Sequence, residues 1–189
     1  YPLFLKCEDS SRLLSEFGLK GVVCQNKAQL ISNYEKYNGF YGKLILQEFM
    51  PGEDEKIITV LLSLNHNSNP TGILVNQKVR SAGKFLSGTL VRSIYSTKLL
   101  DYSLKLVKEI GYYGYAGVQY KLDERDSEFK LLEINGRVSM SSSLAVRCGV
   151  NIPYLMYKEA NKGIKKELLV MNQNYKKDII WWNIIYDLI

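Results

Sequence analysis

Apolar positions along the chain follow two rhythms. Short apolar runs bounded by turn residues predict strands at residues 2–6, 22–25, 44–47, Ile57–Leu64, 72–79, 118–122 and 129–134. Apolar residues three and four apart predict helices over Lys27–Tyr37, with Leu30 and Ile31 as core contacts, and over residues 99–110, 142–148 and 153–161. Gly111 and Gly149 mark helix ends, and Pro153 marks a start. Residues 8–21 read as a polar loop. Asn65-His66-Asn67-Ser68-Asn69-Pro70 reads as the turn of a hairpin, 81–89 as a loop with two glycines, and 123–128 as a charged turn. Met50-Pro51-Gly52 signals a change of direction, which divides the chain into a smaller part, 1–50, and a larger one, 51–189. The apolar and aromatic tail, 179–189, is too short to cross a bilayer and is expected to pack back on the larger part.

Composition narrows the function classes. With 46% hydrophobic residues in 189, the chain can bury a core. The net charge is +6, but the lysines are scattered. Their densest cluster, residues 162–166 with Lys176 and Lys177, is expected on a solvated face, so no nucleic-acid partner is expected. Cys7, Cys24 and Cys148 are widely spaced and His66 is the single histidine, which suits neither a disulfide framework nor a zinc site. A reduced, cytoplasmic protein with no membrane partner is the expectation. The chain opens without methionine, directly on an apolar strand, which leads us to expect a piece of a longer protein.

The candidate chemistry lies at strand ends. Alternation sends Glu133 and Asn135 to one face, where two oxygen ligands suit a hard cation such as magnesium, although both types are also ordinary where a strand leaves a sheet. Arg137 follows with the same period and is either a phosphate fork or a structural ion-pair partner. Lys6 ends an apolar run, so its charge meets a phosphate or a surface carboxylate. Lys20-Gly21 closes the polar loop as a phosphate cover would, but no GxxxxGK[ST] motif is present.

Read in order, YPLFLK (1–6), LQEFMPGED (46–54), VQYKLDERDSEFKLLEINGR (118–137) and SLAVRCGVNIPYLMYKEA (143–160) resemble the ATP-grasp superfamily, in its carbamoyl-phosphate synthase large-subunit and biotin carboxylase branch. The third segment is the most specific, because a two-stranded hairpin ending in Glu-x-Asn-x-Arg resembles that family's metal and phosphate site. The resemblance implies an ATP-grasp fold of two α+β lobes with ATP between them, the N-terminal lobe being truncated and an upstream domain of the same protein missing. ATP and Mg2+, or Mn2+ in its place, are the implied cofactors. Gln47, Glu48, Phe49 and Met50 would form the connecting strand against adenine, and Asp54 would reach the ribose. Lys6, Lys20 and Gly21 would contact the phosphates, Glu133, Asn135 and Gln119 would ligate metal, and Arg137, Lys78 and Arg80 would hold the transferred phosphoryl group.

The activity implied is a ligase that activates a small carboxylate as an acyl phosphate for attack by an amine or similar nucleophile. Two departures bear on it: Gln119 stands where members usually have glutamate, and the truncation removes an earlier basic phosphate contact. Gly136 stands where many members have proline or threonine, which implies a looser backbone there. A degenerate module with a binding or structural role, or an ATP-grasp kinase acting on a hydroxyl, are the alternatives. Arg92 and the serine run 139–143 could meet an anionic acceptor, or be a surface arginine and helix caps.

Overall fold

The computed structural model describes residues 1–39, 43–83, 85–162 and 175–188, which group into two compact units, Tyr1–Pro51 and Gly52–Ile189. The core of the lysine cluster expected at 162–166 lies outside the residues whose side chains are described.

The first unit is a three-stranded antiparallel sheet in the order β2(Val22–Cys24), β1(Leu3–Cys7), β3(Leu44–Glu48). Alternation along β1 buries Leu5 and Cys7 in a core with Leu13, Cys24 and Tyr37 and turns Phe4 and Lys6 to the other face. The polar loop expected over 8–21 contains a helix, α1(Ser10–Phe17). A stripe of only Leu13, Leu14 and Phe17 makes it amphipathic, which a window dominated by polar residues conceals. Leu13 enters the core and the Phe17 ring meets Tyr37 edge-on at 5.3 Å. The second helix, α2(Lys27–Tyr37), starts where Asn26 accepts a hydrogen bond from the Gln29 N–H. Leu30 packs against the core as expected, but Ile31 is 47% exposed, and Tyr37 is the residue of α2 that is buried.

The second unit is a six-stranded antiparallel sheet in the order β8-β7-β4-β5-β6-β9. Its strands are β4(Ile57–Leu64), β5(Pro70–Ser81), β6(Gly88–Ile94), β7(Gly114–Asp123), β8(Glu128–Asn135) and β9(Ile180–Trp182). The asparagine-rich turn joins β4 to β5 as expected, with Asn65 Oδ1 accepting from the Asn67 and Asn69 N–H groups. On one face Ile58, Val60, Leu62, Val75, Val118 and Tyr120 pack with Leu99, Leu100 and Val107 of α3(Thr97–Glu109). On the other, Leu61, Leu74, Val91 and Tyr115 pack with Leu144 and Ala145 of α4(Ser142–Arg147), Ile152 of α5(Ile152–Lys162), and Tyr175. The tail packs back as expected: β9 pairs with β6, and the Tyr175 hydroxyl accepts from Val75 N–H at 3.2 Å and donates to the Ile94 carbonyl. The four-residue α6(Ile184–Asp187) follows β9. No described helix is long and apolar enough to cross a membrane.

The turn between β7 and β8 is fixed by buried Asp123, whose carboxylate takes two hydrogen bonds from the Arg125 guanidinium at 2.8 and 2.6 Å. That guanidinium holds the Asp123 pKa at about 2, below its ordinary 3.8. A depressed folded-state pKa stabilises the fold above the ordinary value and loses that contribution as pH falls through the folded one. Thermal melts should therefore show a fall in Tm between about pH 4 and pH 2, and Asp123→Asn should lower Tm at pH 7 and flatten that fall; an unchanged pH profile would remove Asp123 from the account.

Candidate functional site

In the first unit, antiparallel pairing sets Lys6 across from Ile45 and Phe4 across from Gln47, so Phe4, Lys6, Ile45 and Gln47 share the face turned away from the core. Glu48 pairs with Leu3 at the end of β3. Phe49 continues from it, its N–H on the Pro2 carbonyl at 3.3 Å and its ring 6.5 Å from that of Phe4; half-buried Met50 follows. Lys20 is half-buried, and Gly21 lies so close to β1 that a Cβ on it would stand 2.5 Å from the Phe4 ring and 2.7 Å from the Leu5 carbonyl oxygen. Close approach, rather than a positive φ, requires glycine at 21.

In the second unit the decisive feature is a β-bulge. The β7–β8 register runs Tyr120↔Leu131, then Gln119↔Glu133, so Leu132 is the extra residue and Glu133 lands directly across from Gln119. Without the bulge an apolar side chain would occupy that place. Asn135 pairs with Gly117 on the same face and its amide donates to Glu133 Oε1 at 2.8 Å, which sets the two side chains together. Glu133, Asn135 and Gln119 thus offer one carboxylate and two amide oxygens, a hard-oxygen set that fits Mg2+. Among the described residues no group of three or more His, Cys, Asp or Glu side chains gathers as an alternative metal site.

Arg137 stands two residues beyond Asn135, exposed and without an ion-pair partner among the described residues. Its loop is braced from below: the Tyr115 hydroxyl accepts from Ser139 N–H at 3.2 Å, and the Tyr112 hydroxyl donates to the Tyr115 carbonyl at 2.9 Å. A Cβ on Gly136 would stand 2.8 Å from that Tyr112 oxygen. The glycine expected to loosen the backbone instead makes room for a phenol, and its φ is not in the left-handed region.

Lys78 lies on the Gln119 face, its ammonium donating to the Leu86 carbonyl at 3.0 Å and lying 3.7 Å from Asp54 Oδ1. Asp54, expected at a ribose, also accepts from the Ser81 hydroxyl and is engaged inside its own unit. Arg80 departs furthest from expectation. A register shift between Lys78 and Arg80 turns it from the Lys78 face, and it pairs with Asp187. Asp187 also accepts from Thr89 and from the Trp182 indole; Arg80 first, then these two, hold its carboxyl well below the usual range. Arg80 thereby anchors α6. Arg92 lies on the opposite face from Lys78 and donates to Gln77 Oε1 at 2.8 Å, so it takes the structural role.

Sequence reading missed Lys121, which shares the Gln119 face by simple alternation in Val118-Gln119-Tyr120-Lys121. It is buried and donates to the Gly52 carbonyl at 2.7 Å. Burial pushes its ammonium pKa down, while Asp54, Glu53, Glu124 and Asp123 push it back up.

Residues 42–179 match the model of the family described as ATP-grasp in the biosynthetic pathway with Ter operon. The chain belongs to the ATP-grasp family. ATP with Mg2+ is this family's cofactor pair, and the α+β ATP-grasp fold expected from the motifs is borne out. Among relatives, the D-aspartate ligase of Enterococcus faecium (strain Aus0004) is 25% identical over 169 residues, 80% of this chain and 38% of that protein. The carbamoyl phosphate synthase arginine-specific large chain of Halalkalibacterium halodurans is 33% identical over 103 residues, 54% of this chain and 9% of that one. The biotin carboxylase domain of Hydrogenobacter thermophilus 2-oxoglutarate carboxylase, solved with MgADP, ADP and bicarbonate, superposes with a TM-score of 0.70 over 95% of this chain and 40% of its own, at 18% identity. The kinship with carbamoyl-phosphate synthase and biotin carboxylase is as expected, and the chain spans two fifths or less of these relatives.

If close packing is what holds Lys20-Gly21 against β1, Gly21→Ala must displace the Phe4 ring or the backbone of β1. Urea unfolding should show a loss of about 1–3 kcal/mol, the usual cost of overpacking; stability unchanged by the substitution would contradict the close approach.

Proposed function

We propose that this chain is the nucleotide-binding part of an ATP- and Mg2+-dependent ligase that activates a small carboxylate as an acyl phosphate. The observation that carries the proposal is the bulge-set register that brings Glu133 opposite Gln119 with Asn135 beside it, on a chain that belongs to the ATP-grasp family. Glu133, Asn135 and Gln119 would hold Mg2+, which supplies charge neutralisation at the phosphoryl oxygens. Arg137 and Lys78 add cationic donors for the transferred group, and in the first unit Lys6, Lys20 and the backbone at Gly21 are the candidate phosphate contacts. Gln47, Glu48, Phe49 and Met50 are the candidate adenine contacts, and Asp54 would serve the ribose once released from Ser81.

Chemically, a carboxylate oxygen attacks the γ-phosphorus, the bond to the β–γ bridging oxygen breaks, and ADP leaves with that electron pair. An amine or similar nucleophile then attacks the acyl carbon and phosphate departs. Preorganised cations and donors lower the barrier because the charge shifts toward groups already in place. D-Aspartate, after the Enterococcus faecium ligase, and bicarbonate, bound in the Hydrogenobacter thermophilus carboxylase structure, are the first carboxylates to try.

Gln119 favours one second reading. An amide neutralises less charge than a carboxylate would, so a module that binds nucleotide without turning it over shares every contact above.

Calorimetric titration of MgATP into the chain, with and without chelator, tests the proposal. Binding should depend on the metal and should weaken at least tenfold in Glu133→Gln and in Lys6→Ala, about 1.4 kcal/mol or more. A folded wild-type chain that takes no MgATP would end the proposal. Binding without carboxylate-dependent ADP release would select the second reading, and ADP release with a hydroxyl acceptor would select a kinase.

A further inference from the structure

The sheet register of the second unit aligns Glu133, Gln119, Thr59, Asn76 and Ser93 as successive cross-strand partners on β8, β7, β4, β5 and β6. Direct partners in antiparallel strands point to the same face, so these five polar residues form one row. Its neighbours on the side toward α4 and α5 are the apolar Leu61 and Leu74, both buried there. On the other side lie Lys78 of β5 and Lys121 of β7, each two residues along its own strand from the row.

The two ends of the row are accounted for. Glu133 takes the Asn135 amide, and the Ser93 hydroxyl donates to the Lys176 carbonyl at 2.9 Å and accepts from Ile179 N–H at 3.0 Å, which ties down the C-terminal segment. The three members between them are different. Among the described residues, the side chains of Gln119, Thr59 and Asn76 have no hydrogen-bond partner.

Asn76 is the telling case, because it is only 5% exposed. No fully buried side-chain nitrogen or oxygen among the described residues lacks a partner, so the little surface that Asn76 keeps includes the amide itself. That amide meets solvent at the face and has no partner within the protein, so the fold makes no use of its hydrogen-bonding groups. A leucine would fill similar volume and leave no polar group at that place.

Spacing limits what the amide could serve. Adjacent strands lie roughly 4.8 Å apart, which sets Asn76 about 10 Å from Gln119 and about 14 Å from Glu133 along the row. An ion on Glu133, Asn135 and Gln119 holds phosphoryl oxygens at about 2 Å, out of reach of the short Asn76 side chain. A group that lies further along the row, beyond the phosphoryl group, is within reach. The donors there are an amide N–H, the Thr59 hydroxyl and, one row away, the Lys78 ammonium, a set that suits a carboxylate.

We propose that Asn76 and Thr59 bind the carboxylate of the small-molecule acceptor, and the acyl phosphate made from it, in line with the metal corner at Glu133 and Gln119. The inference rests on the ATP-dependent ligase reading of the same face. It makes these two residues acceptor contacts that the nucleotide does not need.

The test uses two measurements on wild type, Asn76→Leu and Thr59→Val. In thermal melts Asn76→Leu should match or exceed wild-type Tm, because it removes an amide without a partner; a clear drop would show that the amide serves the fold and would overturn the proposal. In calorimetry, MgADP should bind all three chains within twofold. Bicarbonate, D-aspartate and L-aspartate are then titrated into each MgADP-loaded chain. At least one should bind the wild type and bind Asn76→Leu about tenfold more weakly, with a smaller loss in Thr59→Val. Carboxylate binding that neither substitution changes, or a MgADP-loaded wild type that takes none of the three, overturns this proposal and leaves the nucleotide site standing. Failure of wild-type chain to bind MgADP strikes the ligase reading itself, and this inference with it.

Discussion

Everything proposed for the second unit depends on one extra residue in one strand. Leu132 is accommodated as a bulge between the pairs Tyr120↔Leu131 and Gln119↔Glu133. Because side chains alternate with a period of two, a single inserted residue moves every later side chain of β8 to the opposite face. Before the bulge, Phe129 faces the α3 side with Tyr120; after it, Ile134 takes over that duty and Glu133 and Asn135 are released to the other face. One backbone irregularity therefore keeps the hydrophobic layer continuous and builds the oxygen cluster. A sheet in strict register could do only one of these.

The same face shows a gradient that packing alone does not produce. Leu61 and Leu74 are covered by α4, α5 and Tyr175, while two residues further along each strand the row becomes Thr59 and Asn76, with Gln119 across from Thr59, and then Lys78 and Lys121. Stability would favour apolar residues or satisfied pairs at Asn76 and Lys121, both of which are buried. Lys121 is compensated by the Gly52 carbonyl and nearby carboxylates, but Asn76 is not. Positions where local consistency gives way are where a fold retains groups for something other than itself.

What was legible in the sequence follows from the range of the interactions involved. Strand alternation and the Glu-x-Asn-x-Arg spacing are local, so Glu133, Asn135 and Arg137 could be singled out from residues 118–137 alone, and the hairpin turn at 65–70 is equally local. Helix α1 was hidden because its apolar stripe is one and a half turns long and its packing partner, Tyr37, is twenty residues away. Arg80 was misplaced because its partner Asp187 comes from the far end of the chain, across a register shift that motif order does not encode. Asn76 escaped notice for a related reason: its significance lies in being the fourth member of a row drawn from five strands, and no two members of that row are neighbours in sequence. The close approach at Gly136 was not legible, since the Tyr112 hydroxyl that crowds it comes from before β7.

The engaged state of Asp54 and Lys78 carries a last consequence for how this face meets a ligand. Lys78 is held by Asp54 and the Leu86 carbonyl, and Asp54 by Ser81, so the loop after β5 and the single turn at Asp54–Lys56 share one polar cluster. A cation kept beside a carboxylate stays close to its working position and costs little reorganisation when a phosphate or carboxylate displaces that partner. On the proposed ligase reading, an arriving anion would gain Lys78 and release Asp54, whose oxygens would then be open to hydroxyl donors. Ligand binding would in this way convert an internal ion pair into two separate contacts, with no buried charge left unpaired at either stage.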